Sequence, residues 1–489
     1  MATEEPRKDD NLRWERRNRW NDLDAEEKAQ MEEYCSRYMS FLSQAKTERE
    51  VHDWTLKAAA DKGFRPIEEV CRDNNAPLDA GTKVYRSFGG KTLLLCQIGR
   101  RPLTDGLHIV GGHTDAPRLD AKPNPLYEDS ELALLDTHYY GGIKKYHWVT
   151  MPLALHGLIV KQDGTKVNIS VGEDSDDPVF VITDLLPHLD KDQAEKKMEK
   201  AIPGENLNVL LGAAPQEQES ENSEEETGKT NEKVKQNLLQ QLFDKYGIKE
   251  EDFASAELEI VPAGVAREAG LDGSMMLGYG HDDRISSYAA LQALLQAEET
   301  PEFTSIVLMC DREEIGSKGA TGMDSTFFEN SVAELLNSCT EGYTDLDLRR
   351  TLERSRMLSA DVCAVHDPNY PDVSSPNNAG KLNAGIVVNK YTGSRGKAGC
   401  SEASAEFMAE LRRMFNEQNV FWQTAELGKV DQGGGGTISM FFARYGMDVV
   451  DCGAGLLSMH APWEIAGKLD AYMAFKGYQT FLQDRRRET

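Results

Sequence analysis

The sequence predicts a mixed α/β fold in which a largely parallel sheet, flanked by helices, is interrupted along the chain by an inserted β-rich domain. Three observations in the 489-residue chain predict it. From about residue 262, apolar runs of strand length alternate with helical patterns. A run at 107–112 has the same character, whereas residues 122–261 are rich in alternating and β-branched runs. We therefore predict one discontinuous α/β domain, 1–121 with 262–489, and an inserted domain at 122–261.

The segments before the insertion predict two helices and then two strands. Helical periodicity covers 24–47 and 49–62, and apolar β-rich runs follow at 91–99 and 107–112. The last run leads directly into a Gly-His-Thr-Asp stretch at 112–115, so we assign it to the same sheet as the later strands.

Inside the insertion, apolar runs at 153–159, 166–171 and 179–182 predict strands. An Asp-Gly pair at 163–164 predicts a hairpin turn between the first two. Residues 216–233 contain almost no apolar side chains. Since such a segment cannot bury enough surface to become ordered, we interpret it as an acidic mobile loop.

After the insertion, strand and helix patterns alternate to the end of the chain. Strand runs at 305–310, 357–360, 384–388 and 447–450 alternate with helical patterns at 284–298, 402–416, 437–445 and 463–483. This alternation is typical of a largely parallel sheet packed against helices.

The composition argues against several classes of partner. The chain has 82 acidic and 55 basic residues, a net charge of −27, whereas nucleic acid or an anionic membrane surface requires a dominant basic field. No apolar run reaches the roughly 18 residues of a transmembrane helix, and the first residues lack a signal-peptide core. The eight cysteines are scattered without Cys-x-x-Cys pairs, which indicates reduced thiols and a cytoplasmic protein.

Acidic and histidine side chains follow five of the apolar runs. They are His113 with Asp115, Asp282 with Asp283, Glu313 with Glu314, Asp361, and His460. Because ligands bind at the carboxyl ends of strands in an open α/β sheet, these side chains can converge. Imidazole and carboxylate without thiolate are typical ligands of catalytic zinc, with manganese or cobalt as substitutes.

Each of these positions also has a plain structural interpretation. The acidic pair at 282–283, for example, is typical of a helix N-terminal cap, a role we expect for Asp283. Two neighbouring glutamates in an irregular segment can diverge, so that one binds metal while the other acts on a water. The glycine run at 433–436 predicts a loop whose backbone comes close to a substrate.

The order of the motifs is more specific than any one of them. They are Gly-Gly-His-Thr-Asp-Ala-Pro at 111–117, Asp-Asp-Arg at 282–284, Arg-Glu-Glu-Ile-Gly-Ser at 312–317, Ser-Ala-Asp at 359–361 with His-Asp-Pro-Asn-Tyr at 366–370, the glycines at 433–436, and Ser-Met-His-Ala at 458–461. From about residue 80 onward this order resembles the aspartyl aminopeptidase / aminopeptidase I family of dinuclear zinc metallopeptidases.

The resemblance implies an enzyme that removes N-terminal residues from peptides and that uses two divalent metal ions per chain. Zn²⁺ is the expected ion, and Mn²⁺ and Co²⁺ are alternatives. The implied ligands are His113, Asp282 and Asp361 for one ion, and Asp282, Glu314 and His460 for the other. Glu313 is then the general base, and Asp115 orients His113. The α/β domain becomes the catalytic domain, and the insertion becomes a dimerisation domain.

The family also assembles into a homododecamer, built from dimers, that encloses the active sites. His188 matches best a histidine that the family places near a neighbouring subunit's site. Members selective for acidic N-terminal residues use basic residues near the site, for which Lys390, Arg395 and Lys397 are alternatives here, so a preference for acidic N-terminal residues is one expectation of the resemblance. As residues that contact the substrate we single out Lys390, together with Gly435 and Gly436 of the glycine run.

Two other functions stay open on sequence alone. A related dinuclear metal deacylase or carboxypeptidase has a similar fold, and a carboxypeptidase would need an arginine such as Arg284 or Arg395 to hold the substrate carboxylate. A non-catalytic scaffold on the same fold would be expected to lack a ligand or the base, and all six positions are present here. The preferred N-terminal residue, the metal used in the cell and the peptides cleaved are not encoded in these motifs.

Overall fold

The structure, a computed structural model, describes residue 12 and residues 14–73, 78–216 and 232–485. Most of the acidic loop predicted at 216–233 lies outside the described residues. The described strands form three sheets, and helices cover both faces of the largest. The predicted mixed α/β fold is confirmed. Within the described ranges, no helix combines the length and apolar character needed to cross a bilayer.

The largest sheet lies at the centre of the α/β fold. In spatial order its strands are β1 (Arg65–Pro66), β2 (Lys83–Phe88), β3 (Thr92–Gln97), β13 (Ser305–Cys310), β4 (His108–His113), β14 (Arg356–Ser359), β18 (Asp448–Gly453), β16 (Ile386–Asn389) and β17 (Trp422–Thr424). The central strands β13, β4, β14 and β18 are parallel neighbours. β13 and β4 are buried along their whole length, and β13 is an unbroken apolar run.

Helices form a layer on each face of this sheet and also occur in the insertion. They are α1 (Ala25–Gln44), α2 (Glu48–Asp61), α3 (Ile67–Asp73), α4 (Lys191–Ala194), α5 (Met198–Ala201), α6 (Lys233–Tyr246), α7 (His281–Leu295), α8 (Phe327–Cys339), α9 (Asp345–Arg354), α10 (Ala405–Glu417), α11 (Ser439–Ala443) and α12 (Lys468–Leu482). One apolar core contains residues of α1, α2, α7, α10 and α12, and another contains residues of α3, α8, α9 and α11. α1 and α2 each begin at a capping box, on Asp24 and Thr47, which satisfies free N–H groups of the first turn.

The insertion forms an antiparallel sheet of its own. In spatial order its strands are β8 (Lys166–Val171), β7 (Leu153–Val160), β10 (Ala256–Pro262), β5 (Arg118–Asp129), β6 (Leu132–Tyr140) and β9 (Val209–Gly212). β5 leads from the α/β part into this sheet and β10 leads back. The division into a catalytic and a dimerisation domain stays a prediction.

A third, small sheet packs beside the α/β sheet. Its strands, in spatial order, are β11 (Arg267–Ala269), β12 (Met275–Gly278), β20 (Glu464–Gly467), β19 (Gly455–Leu457) and β15 (Cys363–Ala364). Sequence analysis did not separate β12 and β19 from the central sheet, because a short apolar run does not reveal which strands pair with it. Asp282 and His460 therefore follow strands of a different sheet from the one expected.

Candidate metal centre

Three of the predicted site residues lie at the carboxyl ends of neighbouring parallel strands. His113 is the last residue of β4, Glu313 starts a short 3-10 helix (Glu313–Ile315) after β13, and Asp361 follows β14. Since β13, β4 and β14 are adjacent in the sheet, their ends meet at one edge.

Two further residues reach this edge from the small sheet. Asp282 lies in the first turn of α7, shortly after β12, and the peptide bond between Asp282 and Asp283 is cis. His460 follows β19. β20 pairs with both β12 and β19, so the two segments belong to one rigid unit.

Five side chains form two overlapping groups of potential ligands that share Asp282. The groups are His113, Asp282 and Asp361, and Asp282, Glu314 and His460, and the ligand atoms of each group lie within 4.8 Å of one another. Asp282 Oδ1 is 3.3 Å from Nε2 of His113, and Asp282 Oδ2 is 3.3 Å from Nε2 of His460. One carboxylate oxygen therefore faces each histidine, which is the arrangement that a bridging ligand needs.

Backbone carbonyl groups orient both imidazole rings. His113 Nδ1 lies 3.0 Å from the carbonyl oxygen of Asp115, and His460 Nδ1 lies 3.0 Å from that of Gly142. An Nδ1–H that donates to a carbonyl leaves the lone pair of Nε2 free for a metal. We predicted that the carboxylate of Asp115 orients His113, but at 3.4 Å it lies farther from Nδ1 than the carbonyl does.

The carboxylate of Asp115 also holds the segment that carries the two glutamates. It accepts hydrogen bonds from the backbone N–H groups of Glu313 at 3.1 Å and Glu314 at 3.2 Å, and from the hydroxyl of Tyr140 at 2.8 Å. Tyr140 ends β6, so this contact joins the insertion to the centre. Sequence reasoning missed Tyr140 and Gly142, although the Tyr-Gly-Gly run at 140–142 is a signal that could have found them.

Glu464 is another residue that sequence reasoning missed. Its buried carboxylate accepts hydrogen bonds from the backbone N–H groups of Asp282 at 3.0 Å and His460 at 2.7 Å. One side chain thus positions both segments that come from the small sheet. A glutamate in the mixed run Trp-Glu-Ile-Ala at 463–466 gives no local sign of this role.

Asp283, which we predicted to cap α7, has a different environment. The residue preceding α7 is Gly280, and the buried carboxylate of Asp283 accepts the backbone N–H of His113 at 3.3 Å. The prediction considered only neighbours in sequence, whereas His113, which Asp283 contacts, is 170 residues away along the chain.

Buried carboxylates give the centre a negative potential. Burial, with the charges of Asp115 and Asp282, raises the pKa of Glu313 to about 7. Burial alone would lower the pKa of His460, but the hydrogen bond to Asp282 and the charge of Glu314 raise it to about 10. Oε1 of Glu314 is buried and has no hydrogen-bond partner among the described residues. A surplus of carboxylate charge and an unsatisfied oxygen favour a bound cation, and the imidazole–carboxylate donor set fits zinc.

A cavity of about 610 Å³ opens onto the centre. Gly435 and Gly436 line it, as does Asn389, the last residue of β16. Lys390, which we predicted to contact substrate, is absent from the lining residues; its side chain is half exposed and its ammonium lies 3.8 Å from Glu402. Because successive side chains at a strand end point to opposite faces, the cavity receives Asn389 and not Lys390.

His188 is exposed on the insertion and does not line the cavity of its own chain. The role that we predicted for it, at a neighbouring subunit's site, therefore stays a prediction.

Replacing Tyr140 by phenylalanine tests whether the insertion positions the centre. The change removes the hydroxyl that donates to Asp115, and we expect kcat or zinc affinity to fall by roughly 10- to 100-fold, as for other residues that support metal ligands. Steady-state kinetics and zinc titration measure both quantities. Tyr370→Phe, at an exposed tyrosine, is the control. A Tyr140→Phe protein with unchanged kcat and zinc affinity would show that the contact is not needed.

The fold and the site together define an α/β metallopeptidase. Residues 41–482 match the family model described as aminopeptidase I zinc metalloprotease (M18). The chain belongs to this family, and it is a metallo-aminopeptidase.

Relatives match the chain over nearly its whole length. A probable M18 family aminopeptidase 1 of Clostridium acetobutylicum is 52% identical and covers 96% of this chain and 98% of its own length. Among solved structures, an M18 aminopeptidase from Thermotoga maritima has a TM-score of 0.89 at 44% identity, and covers 96% of this chain and 100% of its own. Aminopeptidase I from Clostridium acetobutylicum has a TM-score of 0.87 at 48% identity, and covers 97% of this chain and 100% of its own length.

Proposed function

We propose that the centre holds two zinc ions per chain and that Asp282 bridges them. His113 and Asp361 complete the site of one ion, and Glu314 and His460 complete the site of the other. The observation that supports this proposal is the pair of ligand groups, each within 4.8 Å, that share Asp282. Mn²⁺ or Co²⁺ would suit the same oxygen and nitrogen donors.

When bound, zinc would polarise the scissile carbonyl and would lower the pKa of water, so that the water can lose a proton and become a nucleophile near neutral pH. In our proposal Glu313 is the general base: its carboxylate takes the proton from the attacking water and delivers it to the leaving amine. Asp115 holds Glu313 in place through the backbone N–H. Gly435 and Gly436 let the backbone approach the substrate without side-chain clashes.

We propose that uncharged N-terminal residues are preferred over acidic ones. Apolar side chains form much of the cavity wall; they are those of Val362, Cys363, Leu427, Met440, Phe441 and Met459. Among the described residues, Lys318 is the lysine or arginine that lines the cavity, and its exposed ammonium already contacts Asp324. Away from the metal ligands, a substrate carboxylate in this cavity would therefore lack a free lysine or arginine partner among the described residues, which disfavours its burial.

A panel of aminoacyl chromogenic substrates, with zinc, manganese or cobalt added, tests this function. We expect hydrolysis of leucyl and methionyl substrates, with kcat/KM at least about tenfold above that of the aspartyl substrate. Asn389→Lys places a cation on the cavity wall and should shift the ratio toward aspartyl. Faster cleavage of aspartyl substrate by the unmodified protein would contradict the proposed preference, and cleavage only at the C-terminus of peptides would favour a carboxypeptidase.

We also propose that the chain self-associates through the insertion, as a dodecamer built from dimers. The structure of the mApe1 dodecamer of S. cerevisiae has the same fold, with a TM-score of 0.71 at 21% identity over 91% of this chain and 95% of its own. Apolar side chains next to His188 in the sequence are exposed on this chain; they are those of Leu185, Leu186 and Leu189. Burial of these side chains against another copy would stabilise an assembly.

All eight cysteines are free thiols, in keeping with the cytoplasmic location that we propose.

Replacing His188 by alanine tests whether active sites are shared between subunits. We expect turnover to fall by roughly 10- to 100-fold, with zinc content and mass unchanged, because the imidazole would serve a neighbouring site. Metal analysis and light scattering accompany the kinetics. A wild-type protein with the 54.5 kDa mass of a single chain and full activity would contradict both the assembly and the shared site.

A further inference from the structure

A second cavity lies on the insertion, next to the metal centre. It has a volume of about 550 Å³ and is lined by residues from two segments, 139–146 and 197–199. Lys144, Lys145 and Lys197 line it, against a single acidic lining residue, Glu199. This cavity therefore carries a local positive charge in a chain whose net charge is −27.

The cavity shares a wall with the metal centre. Gly141 and Gly142 line it. The carbonyl oxygen of Gly142 is the hydrogen-bond partner of His460 at 3.0 Å, and a Cβ on Gly141 would lie 3.5 Å from Oε2 of Glu314. One layer of backbone thus separates the cavity from two of the proposed metal ligands.

No carboxylate of the described residues neutralises the lysines of this cavity. Within the described ranges, none of the three has a carboxylate partner, and the ammonium of Lys145 lies 5.9 Å from the ring centre of Tyr139. By contrast, Lys122 and Lys235 of the same insertion each contact two carboxylates. Ammonium groups without partners beside a cavity are suited to bind an anion that arrives with a ligand.

We propose that this cavity, the lysine subsite, binds a carboxylate of the peptide substrate downstream of the scissile bond. The inference rests on the proposed function, which places the N-terminal residue at the metal centre and directs the rest of the peptide past the walls of that centre. The carboxylate is either the C-terminus of a short peptide or an acidic side chain within the first few residues. Specificity would then have two parts: an uncharged first residue and a negative charge shortly after it.

The test uses the full-length, zinc-loaded protein and three peptides with the same uncharged first residue. They are Leu-Ala-Ala with a free carboxylate, Leu-Ala-Ala amide, and Leu-Ala-Glu amide. We expect kcat/KM on the free carboxylate, on the glutamyl peptide, or on both to be about tenfold higher than on the neutral amide, mainly through KM; a factor of this size is typical of one charge-assisted contact. Which peptide gains shows the source of the carboxylate.

Substitution of the lysines then locates the effect. The triple variant Lys144→Gln, Lys145→Gln, Lys197→Gln is expected to lose the preference, so that the three peptides have the same kcat/KM. Lys166→Gln removes an exposed lysine of β8 that does not line the cavity, and this control should keep the wild-type preference.

Three results would overturn the lysine subsite: equal kcat/KM for all three peptides in the wild type, a preference that survives the triple substitution, or the same loss of preference in Lys166→Gln. If the triple variant instead has a lower mass in light scattering and loses activity on all peptides equally, the cavity receives a second copy of the chain and not the substrate.

Cleavage of the neutral amide by the wild type tests the proposed function separately. If the amide is cleaved without discrimination, only the subsite fails; if no peptide is cleaved, the proposed function itself fails.

Discussion

Replacing Glu313 by glutamine is expected to lower kcat by a factor of roughly 10²–10⁴ while the zinc content stays the same. Glutamine has the shape of glutamate but cannot take a proton from water. Glu313 belongs to neither group of ligand atoms, and its Oε2 lies 4.0 Å from Nε2 of His113. The change should therefore remove the general base without removing a ligand. Steady-state kinetics and metal analysis of the purified protein measure the two effects.

The control for this change is Glu353→Gln, at an exposed glutamate of α9, which should leave both quantities unaltered. Near-wild-type turnover in Glu313→Gln would exclude this residue as the base. A simultaneous loss of zinc would reassign Glu313 as a ligand, and the proton acceptor would then have to be sought elsewhere in the cavity.

Replacing Asp282 by asparagine is expected to weaken both metal sites at once. Its two carboxylate oxygens face His113 and His460 separately. An amide has one acceptor oxygen and no negative charge, so it cannot serve two cations. We expect less than two zinc ions per chain at zinc concentrations that saturate the wild type, and activity lower by more than about 100-fold.

Zinc content after dialysis against graded zinc buffers measures this effect, and Asp192→Asn, at an exposed aspartate of the insertion, is the matched control. Two ions bound at unchanged affinity would contradict a bridging role. Loss of one ion only would show that Asp282 serves a single site and that the two ligand groups are independent.

Sequence patterns predicted much of the fold because apolar periodicity depends on local geometry. The runs that became β13, β4 and β14 have apolar residues at their centres, and each is followed by polar residues now found at the edge of the sheet. The predicted helices at 24–47 and 49–62 are confirmed as α1 and α2, because capping residues and amphipathic spacing both lie within the helix itself.

Sequence patterns did not predict the residues that support the metal ligands. Tyr140, Gly142 and Glu464 hold Asp115, His460 and Asp282 across long separations in the chain. The Tyr-Gly-Gly run at 140–142 marks a turn but does not identify the partners of Tyr140 and Gly142, and Glu464 has no local mark at all, since the packing of three sheets selects these partners. Lys390 is the converse case: its charge made it conspicuous in the sequence, but the alternation of side chains at the end of β16 leaves it outside the cavity of its own chain.

By itself, the sequence determined the α/β class and the residue types that suit zinc, because backbone periodicity and ligand chemistry are properties of short segments. It also predicted where the insertion lies. Only the tertiary structure decided that Asp282 and His460 arrive from a separate small sheet, that Asp115 holds the glutamate segment more closely than it holds His113, and that three lysines surround a cavity beside the centre. The physical reason is that strand pairing and buried hydrogen bonds are chosen among distant segments by the total free energy of packing, which no local pattern contains.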